Sequence, residues 1–260
     1  MDMNIKLAVF KFASCDGCQL QILNMEDEIL QLTGKIEIAY FMEATSRKLE
    51  EPYDIALVEG SISTKWQEKH IEKIRANSKY LIAIGACATA GGIQALRNWS
   101  KNEDYSKKVY PKPEWIDTLA ESKPISDYVN VDYEVRGCPV NKDQLLWILS
   151  QLIIGKEPFT PTHSLCIQCK IEGNTCIMVA DGKPCLGPIT MAGCGALCPK
   201  YNRGCYGCFG PMDASQAEKL AEHFINMGMS KREVTLMFKG FTSWSKPFRK
   251  VVSKYGGDED

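Results

Sequence analysis

Short apolar runs alternate with helically periodic segments through the first 157 residues, and beyond them the pattern becomes irregular. Ile5-Lys-Leu-Ala-Val-Phe-Lys-Phe12 reads as a strand, and Leu20, Leu23, Ile29 and Leu32 recur at helical intervals over Gln19 to Leu32. Gly34 stops that helix. Ile36 to Met42 and Tyr53 to Val58 are further strands, and Trp66, Ile71 and Ile74 mark a strongly charged helix. Tyr80-Leu-Ile-Ala-Ile-Gly85 is apolar enough for burial on both faces, as central strands of a parallel sheet are. Val131 to Arg136 is a fourth or fifth strand, and Leu145 to Ile154 a buried helix. Strands alternating with helices predict a flavodoxin-like, doubly wound α/β domain over residues 1–157. A smaller irregular domain is expected over residues 158–260; in it Ala217, Leu220, Ala221, Phe224 and Met227 outline an amphipathic helix, Val234 to Phe238 an apolar turn or strand, and Gly256 to Asp260 a mobile tail.

Cysteine changes this picture most. Of twelve cysteines, eight fall in the second domain, in the order Cys166, Cys169, Cys176, Cys185, Cys194, Cys198, Cys205 and Cys208. Two C-x2-C pairs bracket single cysteines, and the many intervening glycines let the chain reverse around them, so this segment can wrap two four-cysteine sites. Cys194-Gly-Ala-Leu-Cys198-Pro199 reproduces the x3-C-P end of the bacterial ferredoxin run, where thiolates hold iron–sulfur clusters. Structural zinc suits the same spacing. In the first domain, Cys15 and Cys18 follow the first strand, Cys87 the Tyr80 strand and Cys138 the Val131 strand. Ligands of such sheets gather beyond the carboxyl ends of the strands, so four thiols can meet at one edge. Alone, Cys15-Asp-Gly-Cys18 would also suit a thioredoxin-like redox pair. Four cysteines and then eight make three four-cysteine sites with no thiol left over, an arrangement suited to a path of redox centres.

Composition narrows the setting. A net charge of −1, with no basic stripe, excludes a nucleic-acid binder that works by counterion release. The longest apolar run is about ten residues, against roughly 20 needed to span a bilayer. The first residues carry no charged-then-apolar signal segment, and the thiols are therefore expected in a reducing cytoplasm, held by metal rather than disulfides.

The motifs resemble those of the small subunit of nickel–iron hydrogenases over most of the chain. Ser14-Cys-Asp-Gly-Cys18 looks like that family's first cluster motif, Val58-Glu-Gly-Ser61 like its V-E-G, Gly85-Ala-Cys-Ala-Thr-Ala-Gly-Gly92 like its G-x-C-A-x-x-G-G, and Gly137-Cys-Pro139 like its G-C-P. Cys185-Leu-Gly-Pro-Ile-Thr190 resembles its C-K-G-P-x-T, with leucine for lysine. The resemblance implies a proximal 4Fe-4S cluster on Cys15, Cys18, Cys87 and Cys138, a distal one on Cys166, Cys169, Cys176 and Cys185, and a medial one on Cys194, Cys198, Cys205 and Cys208. It implies no catalytic residue on this chain, the nickel–iron site lying on a separate large subunit. It further implies an electron-transfer subunit of a soluble cytoplasmic hydrogenase of the sulfhydrogenase or cofactor-linked type, passing electrons to a flavin- and iron–sulfur-containing, diaphorase-type partner that uses NAD(P). The chain departs from periplasmic members, which have a twin-arginine leader, a histidine distal ligand and a proline in place of one medial cysteine. A stand-alone polycluster ferredoxin-like carrier, or a quinone-reductase-type small subunit, is the rival; the latter carries adjacent cysteines that are absent here.

Single residues add detail. His163 stands three residues before Cys166 and reads as a cluster ligand or a hydrogen-bond donor behind the ligands. Glu59 reads as an acceptor beside the first cluster, part of a proton route, or a cap for the next helix. Asp16 and Gly17 shape the turn between two ligands, and His70 and His223, on charged helix faces, read as solvated.

Overall fold

A computed structural model describes residues 5–25, 28 and 34–257. The chain divides into two compact units, Met1–Phe159 and Thr160–Asp260. In the first unit, β1 (Ile5–Lys11), β2 (Ile36–Phe41), β3 (Tyr53–Glu59), β4 (Ser78–Ile84) and β5 (Tyr133–Val135) form one sheet in the order β2-β1-β3-β4-β5. All neighbouring strands are parallel. This is the flavodoxin-like order, which reverses direction between β1 and β3.

Side chains alternate across a strand, and here both sides are buried. Leu7, Val9, Ile55, Leu57, Ile82, Ile84 and Val135 face one core, with Ile22 of α1 (Gly17–Leu23). Ala8, Phe10, Ala56, Val58, Leu81 and Ala83 face the other, with Ile71 and Ile74 of α2 (Lys65–Ala76). That double burial is why β3 and β4 read as nearly continuous apolar runs. Thr64 and Gln67 start α2 with a reciprocal capping box. After β4 come α3 (Gly85–Ala90) and α4 (Asn102–Val109), and α5 (Lys142–Ile153) places Leu145, Ile148, Leu149 and Leu152 on the first core.

Three expectations need adjusting. The first helix begins two residues early, at Gly17, and runs to Leu23; most of its expected continuation lies outside the described residues. β5 spans only Tyr133–Val135, because the Asp132 carboxylate rather than the strand ladder takes the Leu81 N–H, at 2.7 Å, while also pairing with Arg75. His70 is half-buried, stacked on Trp66 at 4.7 Å with its edge toward Phe10 and Phe12.

The second unit contains no strand among its described residues. The short helices α6 (Leu165–Ile171), α7 (Ile177–Ala180) and α8 (Leu197–Lys200) carry the cysteine region, and α9 (Ala217–Asn226), α10 (Lys231–Phe238) and α11 (Lys246–Tyr255) follow it. Phe224, Phe238 and Phe248 from these three helices are fully buried, the last two meeting edge to face at 5.4 Å. Val234 to Phe238 is thus helical, not a strand: Ser230 and Glu233 form a capping box, and Val234 and Phe238, four residues apart, share the buried face. Gly256 and Gly257 form a turn, and the rest of the expected mobile tail lies outside the described residues. No described helix is long and apolar enough to cross a membrane.

Candidate metal-cluster sites

The loops after β1, β3, β4 and β5 all leave the carboxyl edge of the sheet, and each carries one piece of the first site. Ala13 and Ser61 bridge the loops after β1 and β3 with mutual backbone hydrogen bonds of 3.1 and 2.9 Å. Ala86 N–H donates to the Gly137 carbonyl at 2.7 Å, joining the loops of Cys87 and Cys138. Asp16 takes a left-handed conformation and pairs with Lys11, which fixes the turn between Cys15 and Cys18.

Glycine makes room for the sulfurs. A Cβ on Gly85 would lie 2.3 Å from Cys18 Sγ, and one on Gly92 2.5 Å from Cys87 Sγ; both glycines also have positive φ. Burial pushes the Cys18 thiol well up, and repulsion from Glu59, Cys87 and Cys138 adds to it, with the Val140 backbone opposing. Cys87 is pushed up to about 12 by burial, then by Cys138, Cys15 and Glu59. Cys138 is raised by burial and by Cys15 and Glu59. The four cysteines expected at one edge are therefore electrostatic neighbours, and four mutually repelling thiolates need positive charge between them.

Glu59 ends β3 fully buried, and its Oε1 accepts the Cys18 N–H at 3.2 Å. It lies beside the Cys15–Cys18 turn rather than capping α2, which Thr64 caps. Burial raises its carboxyl, while Gln19 and the Cys18 N–H oppose the shift.

In the second unit, Cys166 and Cys169 lie three residues apart on α6, on one face, and Cys176 is the N-cap of α7. A Cβ on Gly187 would meet Cys185 Sγ at 3.3 Å and Cys166 Sγ at 3.6 Å. Cys166 is pushed up to about 11 by burial, then by Cys185, Cys169 and Cys176. Cys169 is raised by burial and by Cys185, Cys176 and Cys194, with the Asn174 carboxamide opposing. Cys198 is raised by burial and then by Cys194 and Cys185, while Arg203 and the Tyr206 backbone pull it down. Burial pushes Cys205 far up, with smaller contributions from Cys185 and Cys208. Cys185 thus borders both groups of cysteines. His163 is half-buried, and its carbonyl accepts the Ala192 N–H at 3.0 Å.

None of the twelve cysteines is joined in a disulfide. Among the described residues no three His, Cys, Asp or Glu side chains gather closely enough to hold a single metal ion. The donor set and the glycine cradles fit 4Fe-4S clusters, which take cysteine thiolates as ligands. Sequence reading overlooked Gln19, Gln94 and Asn174, polar side chains beside these cysteines, because isolated carboxamides carry no motif.

A profile of the family described as NADH ubiquinone oxidoreductase, 20 Kd subunit, matches residues 15–152. The chain is 41% identical to sulfhydrogenase 2 subunit delta of Pyrococcus furiosus over 207 residues, covering 80% of this chain and 86% of that one. It is 34% identical to a vhu subunit of the F420-non-reducing hydrogenase of Methanocaldococcus jannaschii over 240 residues, with 81% and 83% covered. Among solved structures, a chain of an NAD+-reducing [NiFe]-hydrogenase matches with a TM-score of 0.57 at 28% identity, covering 61% of this chain and 96% of that one. A chain of the Ni-Fe-Se hydrogenase of Desulfomicrobium baculatum shares the fold, with a TM-score of 0.55 at 17% identity over 82% of this chain and 96% of that one.

Proposed function

The chain belongs to the family of the 20 kDa subunit of NADH ubiquinone oxidoreductase and is a hydrogenase subunit within it, and from that premise we propose that it relays electrons through three 4Fe-4S clusters in a nickel–iron hydrogenase complex. One end of the relay faces the nickel–iron large subunit and the other a flavin-containing, NAD(P)-linked partner, in the cytoplasm. The sheet edge is the observation that carries this reading: a backbone hydrogen bond joins the Cys87 and Cys138 loops there, and Gly85 and Gly92 leave room beside the Cys18 and Cys87 sulfurs.

In this reading residues 1–157 hold the proximal cluster on Cys15, Cys18, Cys87 and Cys138, and residues 158–260 hold the other two. Cys166, Cys169, Cys176 and Cys185 hold the distal cluster, and Cys194, Cys198, Cys205 and Cys208 the medial one. Bound there, each cluster supplies one-electron redox chemistry, at a potential set by its charge, hydrogen bonds and solvent exposure. The chain supplies the rest: Gly85 and Gly92 leave space at Cys18 and Cys87, and Glu59 orders the Cys15 to Cys18 turn through the Cys18 N–H and keeps a buried carboxyl beside it.

Anaerobic purification of the native complex tests the reading. About twelve irons per chain, no stoichiometric zinc and a copurifying large nickel-containing chain are expected, four irons for each four-cysteine set. About two zincs with no iron would sink it. Iron without the nickel chain would favour a stand-alone carrier.

A further inference from the structure

The turn after Cys87 carries a glutamine that no motif and no ligand set uses. Gln94 is the second residue of the 3-10 helix Ile93–Trp99, directly after Gly91 and Gly92. Its Nε2 donates to the Ala13 carbonyl at 3.0 Å, which ties this turn to the segment leading into Cys15. That carbonyl also accepts the Ser61 N–H at 2.9 Å. Gln94 Oε1, in contrast, is buried and receives no hydrogen bond. A Cβ on Gly92 would lie 2.6 Å from this oxygen and 2.5 Å from Cys87 Sγ, so oxygen and sulfur crowd the same glycine face.

As a free thiol, Cys87 has a hydrogen to offer Oε1. As a cluster ligand it is a thiolate, an acceptor only, and a buried amide oxygen beside it is repelled. A half-turn about the last side-chain torsion, which is broad and two-fold, exchanges Oε1 for Nε2. Ala13 O then loses one donor and faces Oε1, another acceptor, but keeps Ser61 N–H, and the charge-assisted hydrogen bond gained by the sulfur outweighs that contact. From this juxtaposition we propose that in the cluster-bound chain Gln94 is turned over, donates Nε2–H to the Cys87 sulfur, and so sets the potential of the proximal cluster. The inference rests on the assignment of Cys15, Cys18, Cys87 and Cys138 to one cluster. Gln94 is a positioning residue: its N–H stabilises the reduced, more negative state and raises the potential.

Redox titration of the anaerobically purified full-length chain, followed by electron paramagnetic resonance, reads the effect. Gln94→Leu and Gln94→Met keep most of the volume and remove the donor. Both are expected to lower the midpoint of the proximal cluster and leave the other two unchanged; an unchanged or raised proximal midpoint overturns the proposal. Wild-type protein labelled with nitrogen-15 in glutamine side chains gives a measure that does not depend on those variants loading a cluster. A nitrogen coupling to the reduced proximal cluster is expected, and it should survive Gln19→Leu. No coupling, or one lost with Gln19, overturns the inference. Cys87→Ala separates the two levels: a proximal signal that persists defeats the ligand assignment itself, whereas its loss alongside indifferent Gln94 variants defeats only the role of Gln94.

Discussion

Cys185 Sγ accepts the backbone N–H of Cys205 at 3.1 Å, so two cysteines 20 residues apart, assigned to different clusters, share one hydrogen bond. Gly187 N–H donates to the same sulfur at 3.4 Å, and Gly207 N–H to Cys205 Sγ at 3.3 Å. The loops of Cys185 and Cys205 are therefore tied to each other through sulfur, so the proposed distal and medial sites share a wall.

Cys185→Ser should consequently be felt at both sites. Iron analysis should show a loss of about four irons per chain, from the distal cluster. The medial signal in electron paramagnetic resonance should also change shape, since Cys205 N–H loses its sulfur acceptor. A variant that lost only distal signal, with the medial spectrum untouched, would show that the shared hydrogen bond couples nothing.

Cys15 is the exposed member of the edge group, and Cys15→Ser removes one of the proposed proximal ligands with little disturbance of the core. Hydrogen-dependent dye reduction by the complex should collapse, while NAD(P)H-dependent diaphorase activity of the proposed flavin partner should continue. Undiminished hydrogen-driven turnover would place the proximal ligands elsewhere.

Gly85→Ala should be among the costliest single changes in the first unit. The alanine needs φ of +81° and puts its methyl 2.3 Å from Cys18 Sγ, so either the backbone or the ligand must move. Strain of this kind costs on the order of 1–3 kcal/mol before any ligand is displaced. Gly34→Ala, where a Cβ would meet nothing within 4 Å, is the control and should stay within about 0.5 kcal/mol of wild type. Iron content and thermal midpoint should separate the pair; equal behaviour would show that the cradle at Gly85 yields freely.

His70 predicts an acid-side loss of stability. Burial lowers its pKa, Lys73 adds to this and Glu51 opposes it. A depressed folded-state value means that the neutral ring is favoured, so the contribution is complete above the unfolded value of about 6.5 and is lost as pH falls through the folded value. Unfolding midpoints measured between about pH 7.5 and 5.5 should fall less steeply for His70→Gln than for wild type. Parallel curves would mean that the ring is as well solvated when charged as when neutral.

The sequence by itself determined the strand–helix alternation, the apolar runs of β3 and β4, and the supply of twelve thiols in C-x2-C and single spacings. These are readable because side-chain periodicity and ligand spacing are local properties of a chain. Boundaries were less legible where a side chain competed with the backbone, as when Asp132 shortened β5 and the Ser230–Glu233 box made a helix of Val234 to Phe238. Only the tertiary structure decided that Cys185 borders two groups of cysteines, that Glu59 holds the Cys18 N–H, and that Gln94 Oε1 and the Cys87 sulfur crowd one face of Gly92. The hold of Glu59 on the Cys18 N–H depends on the sheet order β2-β1-β3-β4-β5, which brings the ends of β1 and β3 to one edge, and the other two relationships depend on how closely glycine lets chain segments approach. A carboxylate such as Glu59 shows its role only when the low dielectric around it leaves one partner within reach, and that partner, the Cys18 N–H, lies 41 residues away along the chain.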